Sequence, residues 1–205
     1  MTSPRPDIRY HLLMSRAGGG SLTNRAGFVL AGGGSTRMGR DKALLPLQGG
    51  TMIGRIAGLV RAAAGSVTLI GPPGRYASLG FPVMPDQVEG CGPLGGVLTA
   101  LNHTTADWNL IVACDLPDLT PALLEDLFRA AEAGDADAVV PESEGGLDPL
   151  CAIYHRRCAA AAASAIGRKI FKMHDFLSSI QFHRLPVSDS RVLSNINTAE
   201  QWNAR

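Results

Sequence analysis

The sequence predicts an α/β protein, folded as a three-layer α/β/α sandwich around a mostly parallel sheet. Short apolar runs alternate along the chain with longer segments of helical periodicity. Strands joined by helices of this length pair in parallel through right-handed crossovers. The 205 residues, of which 45% are hydrophobic, suffice for one domain with a sizeable core. We therefore expect a Rossmann-like sheet with helices on both faces.

The first half of the chain predicts three strands and two helices. The apolar run Gly27-Phe28-Val29-Leu30 is typical of a buried strand. Apolar residues at helical spacing follow Thr51, and a cluster of glycine and proline residues ends the second strand. The predicted strands are 28–31, 66–70 and 81–84, and the predicted helices are 51–64 and 95–102.

The second half begins with a fully apolar strand that ends just before Asp115. Thr120 is a helix N-cap candidate, with Pro121 at the first helical position. The predicted strands are 109–113, 138–141, 149–154 and 181–185; helices are predicted at 121–133, 159–166 and 199–202, with a helix or turn at 169–179.

Residues 1–25 are predicted to form a flexible N-terminal extension, since Gly18-Gly19-Gly20-Ser21 resembles a linker. Residues 26–205 form the predicted single domain. The net charge of +1 does not indicate nucleic-acid binding, and no apolar run reaches the roughly 20 residues of a membrane helix. Four cysteines without a C-x-x-C pair indicate reduced thiols, and hence a cytoplasmic protein.

The most informative segment is the loop after the first strand. Glycine occupies positions 32, 33, 34 and 39, followed by Asp41 and Lys42. Glycines after a parallel strand expose backbone N–H groups that bind phosphate oxygens, and nearby cations such as Arg37 neutralise the charge. The loop is neither a Walker A sequence nor a G-x-G-x-x-G fingerprint. It therefore predicts a different kind of nucleoside triphosphate grip.

Two aspartates are expected at the same edge of the sheet as this loop. Asp86 and Asp115 each follow a predicted strand, and ligands of such sheets bind beyond the carboxyl ends of the strands. Carboxylate oxygen is a natural ligand for Mg²⁺ that also bridges to phosphate. Asp115 is therefore the predicted magnesium ligand.

Leu30-Ala31-Gly32-Gly33, Arg37-Met38-Gly39 and Asp41-Lys42 together resemble the signature of the MobA-like nucleotidyltransferases, and within that family the guanylyltransferases. The resemblance covers residues 27–205 and implies a sheet of the nucleotide-diphospho-sugar transferase type. It implies backbone contacts to the guanine nucleotide from Leu30, Ala31, Gly32 and Gly33. It also implies phosphate contacts from Lys42 and Arg37.

Three further motifs fit the resemblance. Cys114-Asp115-Leu116-Pro117 implies magnesium on Asp115. Asp86 and the turn that begins at Gly92 imply the guanine pocket. Asn195-Ile196-Asn197-Thr198 implies a segment near nucleotide and metal, with Asn197 favoured over Asn195; Asn197 or Thr198 is also an N-cap candidate.

The resemblance implies transfer of GMP from GTP to the phosphate of a molybdopterin-type cofactor, with release of pyrophosphate. Lys42, Arg37 and Asp115 are the implied catalytic residues, and Mg²⁺ is the implied cofactor. Cations are expected to hold the anionic acceptor, the candidates being Arg156, Arg157, Arg168 and Lys169. A molybdoenzyme or its chaperone is a further expected partner, whereas nucleic acid and membranes are not.

Two classes of alternative stay open. The first is a related enzyme with another base or acceptor, either a cytidylyltransferase or a sugar-1-phosphate nucleotidyltransferase. The second is a non-catalytic nucleotide-binding protein that delivers the cofactor. The intact Asp115 and Lys42 favour catalysis over delivery alone.

Overall fold

The computed structural model describes residues 24–32, 41–47 and 49–196. The predicted site residues Gly33, Arg37 and Asn197, the predicted C-terminal helix and nearly all of the predicted N-terminal extension lie outside these residues. The described strands are β1 Arg25–Leu30, β2 Pro46–Leu47, β3 Gly50–Thr51, β4 Thr68–Ile70, β5 Val83–Met84, β6 Trp108–Ala113, β7 Ala138–Ser143, β8 Gly146–Leu147, β9 Cys151–His155 and β10 Phe182–Pro186.

The described helices match the predicted periodicity closely. They are α1 Met52–Ala64, α2 Pro73–Tyr76, α3 Pro93–His103, α4 Pro121–Ala133, α5 Cys158–Gly167 and α6 Met173–Leu177. The hydroxyl of Thr120 accepts a hydrogen bond from the Leu123 amide, which confirms the predicted start of α4. Within the described ranges, no helix has both the length and the apolar character needed to cross a membrane.

The central sheet has the strand order β10-β7-β9-β6-β1-β4-β5, with β8 paired to β7. Strands β6, β1, β4 and β5 form a parallel block, and β10 pairs in parallel with β7. Strand β9 pairs antiparallel with both β6 and β7. The connection from β7 through β8 to β9 has no room for a crossover helix, so these strands reverse direction.

Helices cover both faces of the sheet, which confirms the predicted three-layer sandwich. Alternate residues of β1 point to opposite faces, as the pleat requires: Val29 packs with α1 and α4, whereas Phe28 and Leu30 pack with α3, α5 and α6. Gly27 permits the close approach of α1, because a Cβ there would lie 2.3 Å from Cγ1 of Val60. The strand that precedes the predicted nucleotide-binding loop is therefore packed on both sides.

Arg25 belongs to the folded domain, although the predicted boundary begins one residue later. Its side chain is only 8% exposed and pairs with Glu132 at 2.6 Å. The guanidinium also lies 4.3 Å from the ring centroid of Phe128. These contacts tie the start of β1 to α4.

All four cysteines are free, as predicted. Cys151 and Cys158 are buried, and burial raises the pKa of the Cys158 thiol to about 12. At neutral pH this thiol is protonated and packs as a small apolar group.

Candidate active site

The carboxyl ends of the parallel strands meet at one rim of the sheet. Gly32 follows β1, Asp86 follows β5 and Asp115 follows β6. This arrangement is the one predicted for open parallel sheets. Because β9 runs antiparallel, its beginning lies at this rim as well, and it brings Asp148 there.

The backbone bend at Ala31 and Gly32 is held by neighbouring strands. The Ala31 amide donates to the Ile70 carbonyl at 2.8 Å, and the Leu30 carbonyl accepts from the Cys114 amide at 3.2 Å. A Cβ added to Gly32 would meet no described atom within 4 Å. Within the described part of the chain, no residue therefore crowds the Gly32 backbone.

Lys42 and Asp115 lie at one place on this rim. Lys42 Nζ donates to the Ile196 carbonyl at 3.4 Å, and the Ile196 amide donates to the Asp115 carbonyl at 3.1 Å. The charge of Lys42 also acts to lower the pKa of Asp115. The structure thus brings together the predicted phosphate-binding lysine, the predicted metal ligand and Asn195-Ile196, the described half of the Asn-x-Asn-Thr motif, in which Asn195 is exposed.

Asp115 has the properties of a metal ligand. Its Oδ1 is buried and has no hydrogen-bond partner among the residues that the structure describes. Burial raises the pKa of this carboxyl, opposed by a backbone hydrogen bond and by Lys42. An unpaired buried carboxylate oxygen is costly for folding unless a cation or ligand contacts it. The side chain therefore fits a hard divalent cation.

Asp148 lies at the rim, in the segment Asp148-Pro149-Leu150 that the family resemblance places toward the acceptor, although no role was predicted for its carboxylate. Strands β6 and β9 pair Val112 with Cys151, and the Ala113 amide donates to the Leu150 carbonyl at 2.7 Å. Asp148 follows β8 and precedes the turn that leads into β9, and its amide donates to the Pro141 carbonyl at 2.9 Å. Burial, and then the charge of Asp115, raise the pKa of Asp148 to about 6.

Asp148 is thus close enough to Asp115 for the charge of one carboxylate to act on the other. The described residues contain no cluster of three or more histidine, cysteine or acidic side chains suited to a metal. A divalent ion at Asp115 would accordingly take many of its ligands from phosphate and water, as Mg²⁺ commonly does.

Asp86 organises the loop before α3. Its Oδ1 accepts hydrogen bonds from the Val88 amide at 3.0 Å and from the hydroxyl of buried Thr99 at 2.7 Å. Gly92 has φ +59° and ψ −152°, a conformation reserved for glycine.

The two glycines inside α3 have a structural reason that the sequence did not reveal. A Cβ at Gly95 would lie 2.4 Å from the Val88 carbonyl oxygen, and one at Gly96 would lie 3.0 Å from Leu30 Cδ2. They let α3 pack closely against the loop and β1.

Two of the predicted acceptor-binding arginines lie at the wrong edge of the sheet. Arg156 and Arg157 follow β9, whose last residue pairs with Trp108 at the beginning of β6. Arg156 pairs with Asp107 at 2.9 Å, and Arg157 pairs with Asp137. Because β9 is antiparallel, its end lies opposite the rim, and that part of the prediction is wrong.

The sequence reasoning also missed Tyr76, which is 1% exposed. Its hydroxyl lies 3.0 Å from the Ala31 carbonyl oxygen and 2.8 Å from Oδ2 of Asp41. The preceding Gly71-Pro72-Pro73-Gly74 predicts only a break after β4, so no local signal indicated this contact.

The fold, with its loop and acidic residues at the carboxyl ends of parallel strands, is that of a nucleotide-binding α/β protein. A family model described as a MobA-like NTP transferase domain matches residues 27–182. The chain belongs to this family of nucleotidyltransferases.

Individual relatives agree with the family. A Mycobacterium tuberculosis protein named probable molybdenum cofactor guanylyltransferase is 37% identical over 180 residues, covering 85% of this chain and 89% of the relative. The crystal structure of molybdopterin-guanine dinucleotide biosynthesis protein A from Archaeoglobus fulgidus superposes with a TM-score of 0.75 at 24% identity, covering 87% and 95% of the two chains. A Mycobacterium tuberculosis protein crystallised in complex with manganese has a TM-score of 0.62 at 20% identity, covering 87% and 96%.

Proposed function

We propose that this protein transfers GMP from GTP to the terminal phosphate of a molybdopterin-type cofactor in a magnesium-dependent reaction. The products are pyrophosphate and a guanine dinucleotide form of the cofactor. The observation that carries the proposal is the buried Oδ1 of Asp115, which has no hydrogen-bond partner among the described residues and lies at the same rim as Lys42. The guanylyl specificity follows from the name of the relative that is 37% identical.

The nucleotide is proposed to bind along the bend at Leu30, Ala31 and Gly32, continuing to Gly33. Backbone N–H groups of a glycine-rich loop suit a triphosphate, because fixed dipoles need no reorganisation as charge develops. Asp86 and Gly92 are proposed to border the guanine through the loop that they shape. Two cations, Lys42 and Arg37, are proposed to neutralise the phosphates.

Asp115 is proposed to hold Mg²⁺, with Asn195 and Asn197 as candidate neighbours. When bound, the ion neutralises charge on the triphosphate and orients it toward the acceptor. The protein's own task is alignment and electrostatic stabilisation, since the attacking phosphate oxygen is already a nucleophile and requires no histidine base.

The acceptor is proposed to approach from the side of β9 and α6. Asp148 lies just before β9, and the charge of His174 on α6 acts to lower the pKa of the Asp148 carboxyl. Arg168 and Lys169, in the segment between α5 and α6, remain the candidate cations for the acceptor. A molybdoenzyme or its chaperone as recipient, and a cytoplasmic location, also remain predictions.

The test is an assay of pyrophosphate release with each of the four nucleoside triphosphates and a molybdopterin-type acceptor, with Mg²⁺ or EDTA. We expect release with GTP and Mg²⁺ only, and formation of the dinucleotide by mass spectrometry. Preference for CTP would indicate the cytidylyltransferase alternative. GTP binding without release under any condition would indicate the delivery protein.

A further inference from the structure

The hydroxyl of Tyr76 contacts the chain on both sides of residues 33–40, within the loop predicted to bind nucleotide. It lies within hydrogen-bond distance of the Ala31 carbonyl and of the Asp41 carboxylate, at 3.0 and 2.8 Å. These partners are 45 and 35 residues away along the chain. Ala31 precedes residues 33–40 and Asp41 follows them, so the single Tyr76 O–H proton, shared between two acceptors, contacts the chain on both sides of that segment.

The surroundings of Tyr76 make this contact rigid. The residue is 1% exposed, and its ring packs next to Gly71, where an added Cβ would lie 3.1 Å from both Tyr76 Cε2 and the Ala31 carbonyl oxygen. Burial and the Asp41 charge raise the pKa of Tyr76 far above its usual range. The hydroxyl therefore keeps its proton as a donor at any physiological pH.

Asp41 connects the Tyr76 contact to the backbone of Lys42. Its Oδ1 accepts from the Ala43 amide at 3.1 Å and caps the 3₁₀ turn Lys42–Leu44, while Oδ2 faces Tyr76. Fixing both carboxylate oxygens fixes the backbone from which the Lys42 side chain extends toward Asp115. Arg75 contributes little, because its contact with Asp41 is 3.5 Å long and its side chain is 54% exposed.

We propose that Tyr76 is a positioning residue for triphosphate binding, whose hydroxyl aligns the Ala31–Gly32 backbone with Lys42. This inference rests on the proposed function, since it assumes that these groups bind GTP. A hydrogen bond to a carboxylate is among the stronger ones, and removing it leaves Asp41 partly buried without this donor.

The test compares Tyr76→Phe with Tyr154→Phe by calorimetric titration of GTP with Mg²⁺ and without acceptor. Tyr154 is the matched control: it is fully buried, and its hydroxyl donates to the Pro149 carbonyl at 2.7 Å on the far side of β6 from β1. We expect Tyr76→Phe to weaken GTP binding about tenfold. We expect both variants to lower the melting temperature by similar amounts. Tyr154→Phe should leave the affinity for GTP unchanged.

A double-mutant cycle separates positioning from simple loss of stability. If Tyr76 acts through Asp41, Tyr76→Phe combined with Asp41→Asn should weaken GTP binding no more than the worse single variant. Unchanged GTP affinity in Tyr76→Phe, with wild-type protein binding and turning over GTP, would overturn this inference and leave the proposed function standing. Wild-type protein that releases no pyrophosphate would instead overturn the proposed function.

Discussion

Replacing Asp115 by asparagine should make the protein more stable and much less active. The side chain keeps its shape but loses its charge. In the folded protein that charge is costly, because Oδ1 is buried without a hydrogen-bond partner among the described residues and burial raises the carboxyl pKa. A residue kept for folding would show the opposite behaviour.

The size of the effect follows from this environment. An unsatisfied buried polar group costs about 1–3 kcal/mol. Substitution by asparagine removes only the part of this cost that comes from the negative charge. It also removes the attraction between that charge and Lys42, so we expect the free energy of unfolding to rise by about 1 kcal/mol. For a domain of this size that gain raises the melting temperature by roughly 2–4 °C. Loss of the metal contact should reduce kcat/KM at least about 100-fold.

The assay combines thermal unfolding in EDTA, Mn²⁺ binding by electron paramagnetic resonance in the presence of GTP, and pyrophosphate release. The matched control is Asp126→Asn, an acid that is 49% exposed and pairs with Arg129 on α4; it should change none of the three. If Asp115→Asn kept most of its Mn²⁺ binding and turnover, or unfolded several degrees earlier, the assignment of Asp115 as metal ligand would be wrong.

Three further predictions concern Lys42, Asp148 and Lys169. Lys42→Ala should raise the KM for GTP and lower kcat, because it removes the charge proposed to neutralise the triphosphate; an unchanged GTP titration would contradict this. The pKa of Asp148 rises from 3.8 to about 6 on folding, so its contribution to stability is present at acid pH and lost as the pH rises through 6. Asp148→Asn should therefore raise the melting temperature in EDTA at about pH 7.5 and leave it nearly unchanged near pH 4, and equal shifts at both values would refute it. Lys169 has φ +61°, where glycine is preferred, so Lys169→Gly should stabilise the protein by about 1 kcal/mol; a raised KM for the acceptor in the same variant would support its proposed contact there, and a lower melting temperature would argue against the strain.

The elements of the fold were largely predictable because their signals are local. Thr120 and Pro121 marked the start of α4, and the apolar run before Asp115 marked β6. The direction of β9 was not predictable from its composition. The composition of a buried strand is compatible with either direction. In this protein the short connections between β7, β8 and β9 make β9 antiparallel to its neighbours. That reversal carried Arg156 and Arg157 away from the rim and brought Asp148 to it.

For the candidate site, the sequence by itself determined which residues follow the strands of the rim: Gly32, Asp86 and Asp115. Hydrophobic periodicity, helix caps and glycine positions each depend on a few neighbouring residues, so they can be recognised in the sequence. Only the tertiary structure decided which side chains meet. Lys42 reaches Ile196 across 154 residues, and the Tyr76 hydroxyl reaches Ala31 across 45. Such contacts depend on strand order and register, which arise from packing the whole domain rather than from any one segment.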